Sequence, residues 1–302
     1  MEKEKDQIDA HNLHVIIRAF SKMKYNIMVG SDNFFASLED LVIELADKSK
    51  FSQEEFSDIA FAYSVRGKLS EKMKYFFNSY IEKNAENFKS YHTMHNLFYY
   101  FMFTDYMNLP VFEKLVSNYE NIPAKLPLVY YRPFKLFDYY LTNCAESEKT
   151  IMMAIRLREK FYYAEQLYDF VKYERVYGET DEVKILHDIL RVRLLKEPIT
   201  CLVKNNLLII HFTFPQYKIG INIWSERNYV PKTNEKIRIN EQCLLHSKFL
   251  KMKQWEILDI TWDEFLNLGD QLKKDEFLHN WYENAKISQH KKGVCNIKPK
   301  FV

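Results

Sequence analysis

The sequence predicts a mostly helical protein: an array of paired helices followed by a small α/β head. Three observations lead there. Apolar residues recur at i, i+3, i+4 and i+7 almost throughout, from Asn12 to about Lys196. Two short apolar runs, Leu207–Phe214 and Lys218–Trp224, then flank Pro215 and change the pattern to that of strands. Only 6 glycines and 8 prolines stand among 302 residues, which disfavours phosphate-cradling loops and turn-rich β architectures.

The first helical segments are Asn12–Lys24, Asn33–Asp47, Gln53–Val65, Glu71–Lys83, Tyr91–Tyr106 and Val111–Tyr119, with breaks at Gly30, Gly67, Asn108–Pro110, Pro123 and Pro127. Ser52 ahead of Glu54 and Glu55, and Ser70 ahead of Glu71, mark helix starts with acids at the positive end of the dipole. An internal repeat of roughly 38 residues shows when Phe56–Tyr80 is laid over Met94–Tyr119. Ile59 falls on Leu97, Ala60 on Phe98, Tyr63 on Phe101, Met73 on Phe112, Phe77 on Val116 and Tyr80 on Tyr119. Asn12–Leu41 reads as an earlier, degenerate copy, and Leu126–Asn143 with Lys149–Tyr177 continues the pairing less regularly. Such pairs cannot bury both faces alone, so they are expected to stack into an α-solenoid of helix–turn–helix repeats.

A concave solenoid face binds extended partners, either protein segments or single-stranded RNA. Arg66, Lys68, Lys72, Lys74, Arg132, Lys135, Arg156, Arg158 and Lys160 lie where they could line one. The same cations also read as ordinary solvated helix residues paired with acids such as Glu71 and Glu159. The aromatic stretch Tyr91–Tyr106 has the spacing of a buried helix rather than of a base-stacking platform.

After the two strands, residues 235–253 read as a helix with Leu244, Leu245, Phe249 and Met252 on one face. Trp255–Trp262 supplies a third strand, and a last helix from Asp263 covers the sheet with Phe265, Leu266, Leu272, Phe277, Leu278 and Trp281. Arg227, Lys232, Lys236, Lys248 and Lys251 are placed to reach a phosphate backbone. So is the acid-free tail with Lys291, Lys292, Lys298 and Lys300, unless it is simply solvated. The domain reading is 1–198 for the helical array, 199–286 for the α/β domain and 287–302 for a basic tail.

Leu250, Gln254-Trp255, the strand Glu256-Ile257-Leu258-Asp259 and Ile260-Thr261-Trp262-Asp263-Glu264-Phe265 carry a resemblance to a known family, together with Lys273 or Lys274 and Phe277-Leu278. This end of the chain resembles the RAP domain, a small α/β module that closes helical-repeat proteins of mitochondria and plastids and abounds in apicomplexan parasites. The family pattern is a closing Leu, a Gly-aromatic step, a hydrophobic strand, Ile-Pro-aromatic-x-Glu-Trp, and a helix with a Lys and an aromatic-Leu pair. Lys218-Ile219-Gly220-Ile221-Asn222-Ile223-Trp224-Ser225 lies where the family has its Lys-x-Ala-Ile-Glu-x-Asp-Gly strand. Gln254 and Ser225 stand in place of family glycines.

The RAP fold is similar to restriction-endonuclease-like nucleases, which hold a metal with acids on these two strands. His211, Asn222 and Trp224 occupy the positions where acids are expected, and no carboxylate falls between Leu207 and Ser225. Phosphodiester hydrolysis by that route needs clustered carboxylates, so the expectation is a protein that is not an enzyme and uses no cofactor. The resemblance implies organellar RNA work. The expectation is a structural component of a mitochondrial ribosome contacting rRNA or rRNA fragments and neighbouring proteins. Its expected place is the mitochondrial matrix, or alternatively a plastid. A free RNA-processing or stability factor and a protein-only scaffold subunit are the alternatives. The residues expected at RNA are Arg66, Lys68, Arg132, Lys135, Arg156, Arg158, Arg227, Lys232, Lys248, Lys251, Lys291 and Lys292.

Other chemistry finds less support. Lys and Arg number 43 against 41 Asp and Glu, a net charge of +2, so attraction to nucleic acid must come from local patches. Cys144, Cys201, Cys243 and Cys295 form no CxxC pair, which fits a reducing compartment and no zinc module. No run of eighteen apolar residues suits a membrane, and no small-molecule substrate motif of the GxSxG, Walker A, GxGxxG or HExxH type occurs. The N-terminal Met1-Glu2-Lys3-Glu4-Lys5-Asp6 has neither an apolar signal core nor an Arg-rich transit composition. His11 with His14, and His92 with His95, have the i, i+3 spacing of one metal edge. Neither pair has a third ligand in a recognisable motif, so both read as packing residues and no metal is expected.

Overall fold

A computed structural model describes residues 9–22, 28–29, 32–48, 50–65, 69–122, 125–143, 148–167, 181–196, 198–204, 208–225, 229–230, 238–239 and 241–293. The protein is mostly helical with a small sheet, and it divides into two compact units, Met1–Tyr168 and Asp169–Val302.

The first unit contains α1 (Ala10–Lys22), the paired strands β1 (Met28–Val29) and β2 (Asp32–Asn33), α2 (Phe34–Ser37), α3 (Glu39–Asp47), α4 (Gln53–Val65), α5 (Glu71–Asn84), α6 (Tyr91–Thr104), α7 (Leu109–Glu120), α8 (Leu128–Asn143) and α9 (Glu148–Leu167). The 3.6-residue pattern locates these helices closely because each presents an apolar stripe to its neighbours. Caps explain their starts. The Ser70 hydroxyl accepts the Met73 N–H at 3.1 Å, and Asn108 accepts that of Val111 at 3.2 Å with Pro110 in the first turn. Ser90 and Thr93 form a reciprocal capping box at α6. The segment read as one helix over Asn33–Asp47 is two, split at Leu38. The predicted continuation of α9 to Tyr177 lies outside the described residues.

Helix α4 packs against α1 on one side and α6 on the other; α6 packs against α8, α7 against α9, and α8 against α9. The residues paired by the 38-residue offset share their environment. Ile59, Ala60, Tyr63, Met73 and Phe77 are buried, and so are Leu97, Phe98, Phe101, Phe112 and Val116. The sixth pair differs: Tyr119 is buried, whereas Tyr80 is half-buried and stacks on Phe56 with ring centroids 3.9 Å apart. Phe98 stacks on Phe137 at 4.0 Å, linking α6 to α8. Burying each such ring contributes about 1.5–3 kcal/mol, so the aromatic wealth of Tyr91–Tyr106 is core, as its spacing predicts.

In the second unit, α10 (Asp181–Asp188) runs into a wide π-helical turn over Ile189–Arg193, where the Leu194 N–H reaches back to the Ile189 carbonyl at 3.2 Å. Val183, Leu186, Ile189 and Leu190 pack into the core of the sheet. Residues 181–193 therefore belong with the sheet rather than with the helical array to which periodicity alone joins them. The sheet has the order β3 (Ile199–Lys204), β4 (Leu208–Phe214), β5 (Ile219–Trp224), β8 (Glu256–Thr261). β3, β4 and β5 are antiparallel in sequence, whereas β5 and β8 are parallel, with Asn222 opposite Asp259. α11 (Glu241–Met252) lies in the crossover between β5 and β8, preceded by the small hairpin β6 (Tyr229–Val230) and β7 (Arg238–Ile239).

β3 was not anticipated, although Ile-Thr-Cys-Leu-Val-Lys has a strand composition. The final helix is also two. The capping box Thr261/Glu264 starts α12 (Trp262–Leu266), Gly269 turns the chain at φ +106°, and Asp270 caps α13 (Gln271–Lys291). Phe265, Leu278, Tyr282 and Ala285 cover one sheet face beside Ile219, Ile221, Ile223 and Ile260. α11 covers the other.

Two backbone positions constrain the sheet. A methyl group at Gly220 would lie 2.6 Å from Ile210 Cγ2 and 2.8 Å from Ile257 Cδ1. Gln254, at the end of α11, is held at φ +64°, a conformation that favours glycine. Gly220→Ala is expected to cost about 1–3 kcal/mol through overpacking. Gln254→Gly is expected to add about 1 kcal/mol by releasing Cβ strain. Denaturant titration of both variants checks the opposite signs.

Candidate functional site

Of the cations expected at RNA, Arg66, Lys68, Arg227 and Lys232 lie outside the described residues. Arg132 is half-buried on α8, and Lys248 is half-buried on α11. Several others face carboxylates. Arg156 donates from Nε to Glu120 Oε1 at 2.7 Å and from Nη2 to Ser117 at 3.2 Å, tying α9 to α7. Arg158 Nε donates to Asp138 Oδ1 at 2.7 Å, and Lys135 Nζ stands 4.0 Å from Asp138 Oδ2. Lys135 also sits 5.4 Å from the Phe161 ring centre. The structure thus brings Lys135 and Arg158 together, but around a buried acid. These contacts are staples between helices.

The remaining predicted cations converge in the second unit. Gln289 of α13 donates its side-chain amide to the Lys218 carbonyl at 3.0 Å and to the Gln254 carbonyl at 2.7 Å. The Glu256 N–H donates to the Lys218 carbonyl at 2.9 Å, and Lys292 Nζ pairs with Glu256 Oε2 at 2.8 Å. These bonds draw the C-terminal ends of α11 and α13 to the end of the sheet where β5 and β8 begin. Lys251, Lys253, Lys291 and Lys292 are exposed there, and Lys218 is half-buried. Sequence reasoning singled out Lys251, Lys291 and Lys292; it passed over Lys218 and Lys253, whose proximity depends on the crossover. Lysines at helix C-termini also complement the helix dipoles, which gives the cluster a local reason to exist.

His211, Asn222 and Trp224, which stand where acids were expected, gather around Asp259 on the α11 face of the sheet. Asp259 Oδ1 accepts from Ser247 Oγ at 2.6 Å, Trp224 Nε1 at 3.2 Å and Asn222 Nδ2 at 3.3 Å. His211 continues the network inside the sheet: its Nδ1 accepts the Ile223 N–H at 3.0 Å, and its own N–H donates to Asn222 Oδ1 at 3.2 Å. Burial pushes the Asp259 carboxyl above its ordinary range, against the opposing pull of those donors and of Lys251. The arrangement surrounds one carboxylate with donors and seams α11 to β5 and β8.

A second polar node lies in the first unit. Asp58, buried on α4, accepts from His14 of α1 at 2.8 Å, from His92 of α6 at 2.8 Å and from Asn96 of α6 at 2.7 Å, with Arg18 Nη1 3.5 Å away. Glu55, one turn earlier, lies 2.9 Å from His11 Nδ1 and 4.0 Å from His14 Nδ1. The two histidine pairs, read as isolated, therefore converge on one acidic helix, and His11 with His14 does have a third potential ligand. That ligand is 44 residues away in the chain, where local spacing carries no sign of it.

Burial raises Asp58, yet the hydrogen bonds from His14 and His92 and the charges of His92 and Arg18 outweigh it and hold the carboxyl far below its usual range. The hydrogen bond to Asp58 raises His92. His95, half-buried among Phe61, Tyr99 and Tyr130, is pushed down to about 4 by desolvation and by His92.

Comparison with protein-family models and with curated proteins gives no match. Among the described residues no helix is long and apolar enough to cross a membrane.

The opposite shifts of His92 and His95 separate their pH effects. His92, raised in the fold, stabilises fully below the unfolded value of about 6.5, and that stability is lost as pH rises through its folded value. His95, lowered to about 4, resists charging, so its effect is a loss of stability as pH falls from about 6.5. His92→Gln should therefore destabilise more at about pH 6 than at about pH 9, and His95→Phe should flatten the acid-side decline. Urea titrations across that range measure both.

Proposed function

We propose that this chain is a non-catalytic RNA-binding protein: an α-solenoid closed by a RAP-like α/β head that grips single-stranded RNA. The observation that carries the reading is the gathering of Lys218, Lys251, Lys253, Lys291 and Lys292 at one end of the sheet. Ammonium groups on flexible stems hold phosphates without reading sequence, and they draw affinity from released counterions. The solenoid reading is supported by the stacking of α4, α6 and α8 and by the shared burial of five residue pairs 38 or 39 apart. The RAP-like reading is supported by the left-handed backbone at Gln254, where the family pattern calls for glycine before an aromatic residue. The non-catalytic reading is supported by the engagement of Asp259, whose Oδ1 accepts from Ser247, Asn222 and Trp224.

More narrowly, we place the chain in a mitochondrial ribosome, or a plastid counterpart, holding rRNA or its fragments beside neighbouring proteins. That step follows from the family resemblance. A protein-only scaffold is the second reading. It is favoured by Ile151, Met152, Ile155 and Tyr162 of α9, which are all exposed.

A labelled single-stranded oligonucleotide should bind with an affinity that falls steeply with salt. Lys251→Ala and Lys291→Ala should each lower the log–log slope by about 0.7 and weaken all sequences alike. No saturable binding at low salt, or an unchanged slope in the double variant, would remove the lysine interface. Partners retained after RNase treatment by a chain that binds no RNA would favour the scaffold. Absence of the tagged chain from ribosomal-particle fractions would remove the ribosomal version.

A further inference from the structure

We propose that the first unit holds a divalent transition-metal ion of the zinc class between α1 and α4, ligated by His11, His14 Nδ1 and Glu55 Oε1. Donor atoms of these three residues all lie within 4.8 Å of one another. Bound zinc takes imidazole nitrogen and carboxylate oxygen at about 2.0–2.2 Å in a tetrahedron, which sets ligand atoms about 3.3–3.5 Å apart. Small side-chain rotations close the present gaps, and His11, on the exposed face of α1, is free to make one.

The outer contacts orient two of the three ligands. His14 is 7% exposed, and its Nε2 is engaged by Asp58 at 2.8 Å. That bond assigns the proton to Nε2 and turns the Nδ1 lone pair towards Glu55, where it finds no partner. A buried imidazole nitrogen without a hydrogen bond is costly, and a carboxylate–histidine pair behind it is the usual support of a metal ligand. Glu55 is held in the same way. Its Oε2 accepts from the Ser52 N–H and hydroxyl, each at 2.9 Å, leaving Oε1 towards the two histidines.

The donor set also selects the ion. Two imidazoles and one carboxylate suit zinc, cobalt, nickel or copper rather than calcium or magnesium. Three protein ligands leave a fourth position for water or for a side chain of a partner, reached from the exposed side at His11. Glu55 and Asp58 set two negative charges against the divalent cation, and Arg18 Nη1 lies 3.5 Å from the Asp58 oxygen that His14 engages. The ion would tie α1 to α4 across 44 residues of chain.

The test uses the tag-free chain, stripped with a chelator and titrated with Co²⁺ and then Zn²⁺. One equivalent of Co²⁺ should bind, show the visible absorption of a four-coordinate site, and be displaced by Zn²⁺. His11→Ala and Glu55→Gln should weaken binding more than about 100-fold, beyond the 10–100-fold that a lost outer-shell contact costs. Both leave the Asp58 node intact. In the wild-type chain, substoichiometric Co²⁺ should shift the His11 and His14 ring resonances before those of other histidines, a readout independent of any variant's folding. No stoichiometric binding, a six-coordinate spectrum, or affinity unchanged in both variants would overturn the proposal and leave a hydrogen-bonded histidine pair.

Discussion

A carboxylate withdrawn from water must be surrounded by donors, and three such groups organise this protein. Asp58 joins α1, α4 and α6; Asp138 engages Arg158 and Lys135 on α9 and α8; Asp259 joins α11 to the sheet. The desolvation of each is offset only when its partners are placed within hydrogen-bond reach. Apolar packing tolerates sliding by a fraction of a turn, whereas these contacts do not. They therefore set which helix faces meet, and the aromatic core fills the space that remains.

The same constraint separates the helical and sheet-bearing units chemically. In the first, Asp58 meets the imidazoles of His14 and His92, and Asp138 meets Arg158 and Lys135. In the second, Asp259 meets hydroxyl, indole and amide donors that do not titrate near neutrality. The lysine cluster is built differently again. Backbone carbonyls bring its chain segments together, and Lys292 pairs with Glu256 at 2.8 Å.

Much of the fold was legible because helix and strand impose different periods on apolar residues. The Gln53–Val65 helix matches its expected bounds, and the strand from Glu256 to Thr261 lies within the run Trp255–Trp262. Departures arose where local pattern is silent. Residues 181–193 repeat like any amphipathic helix, and nothing in that repeat says which core they enter. Among the described residues Ile199–Lys204 is an edge strand joined to the sheet through β4, so its pairing is invisible without β4 in place. The candidate site was harder still. Arg156 meets Glu120 and Arg158 meets Asp138, acids 36 and 20 residues away, so a cation judged by its sequence neighbours looks available when it is paired.

The amide of Gln289 has a kinetic meaning. It closes onto carbonyls 71 and 35 residues earlier, at the points where the two parallel strands start. Neither acceptor site exists until the crossover has formed, and the clasp itself cannot shut before the last helix docks. Contacts of such long sequence separation slow folding because the intervening chain must be ordered before they reward it. While that end stands open, the apolar beginnings of β5 and β8 lack the cover of the last helix.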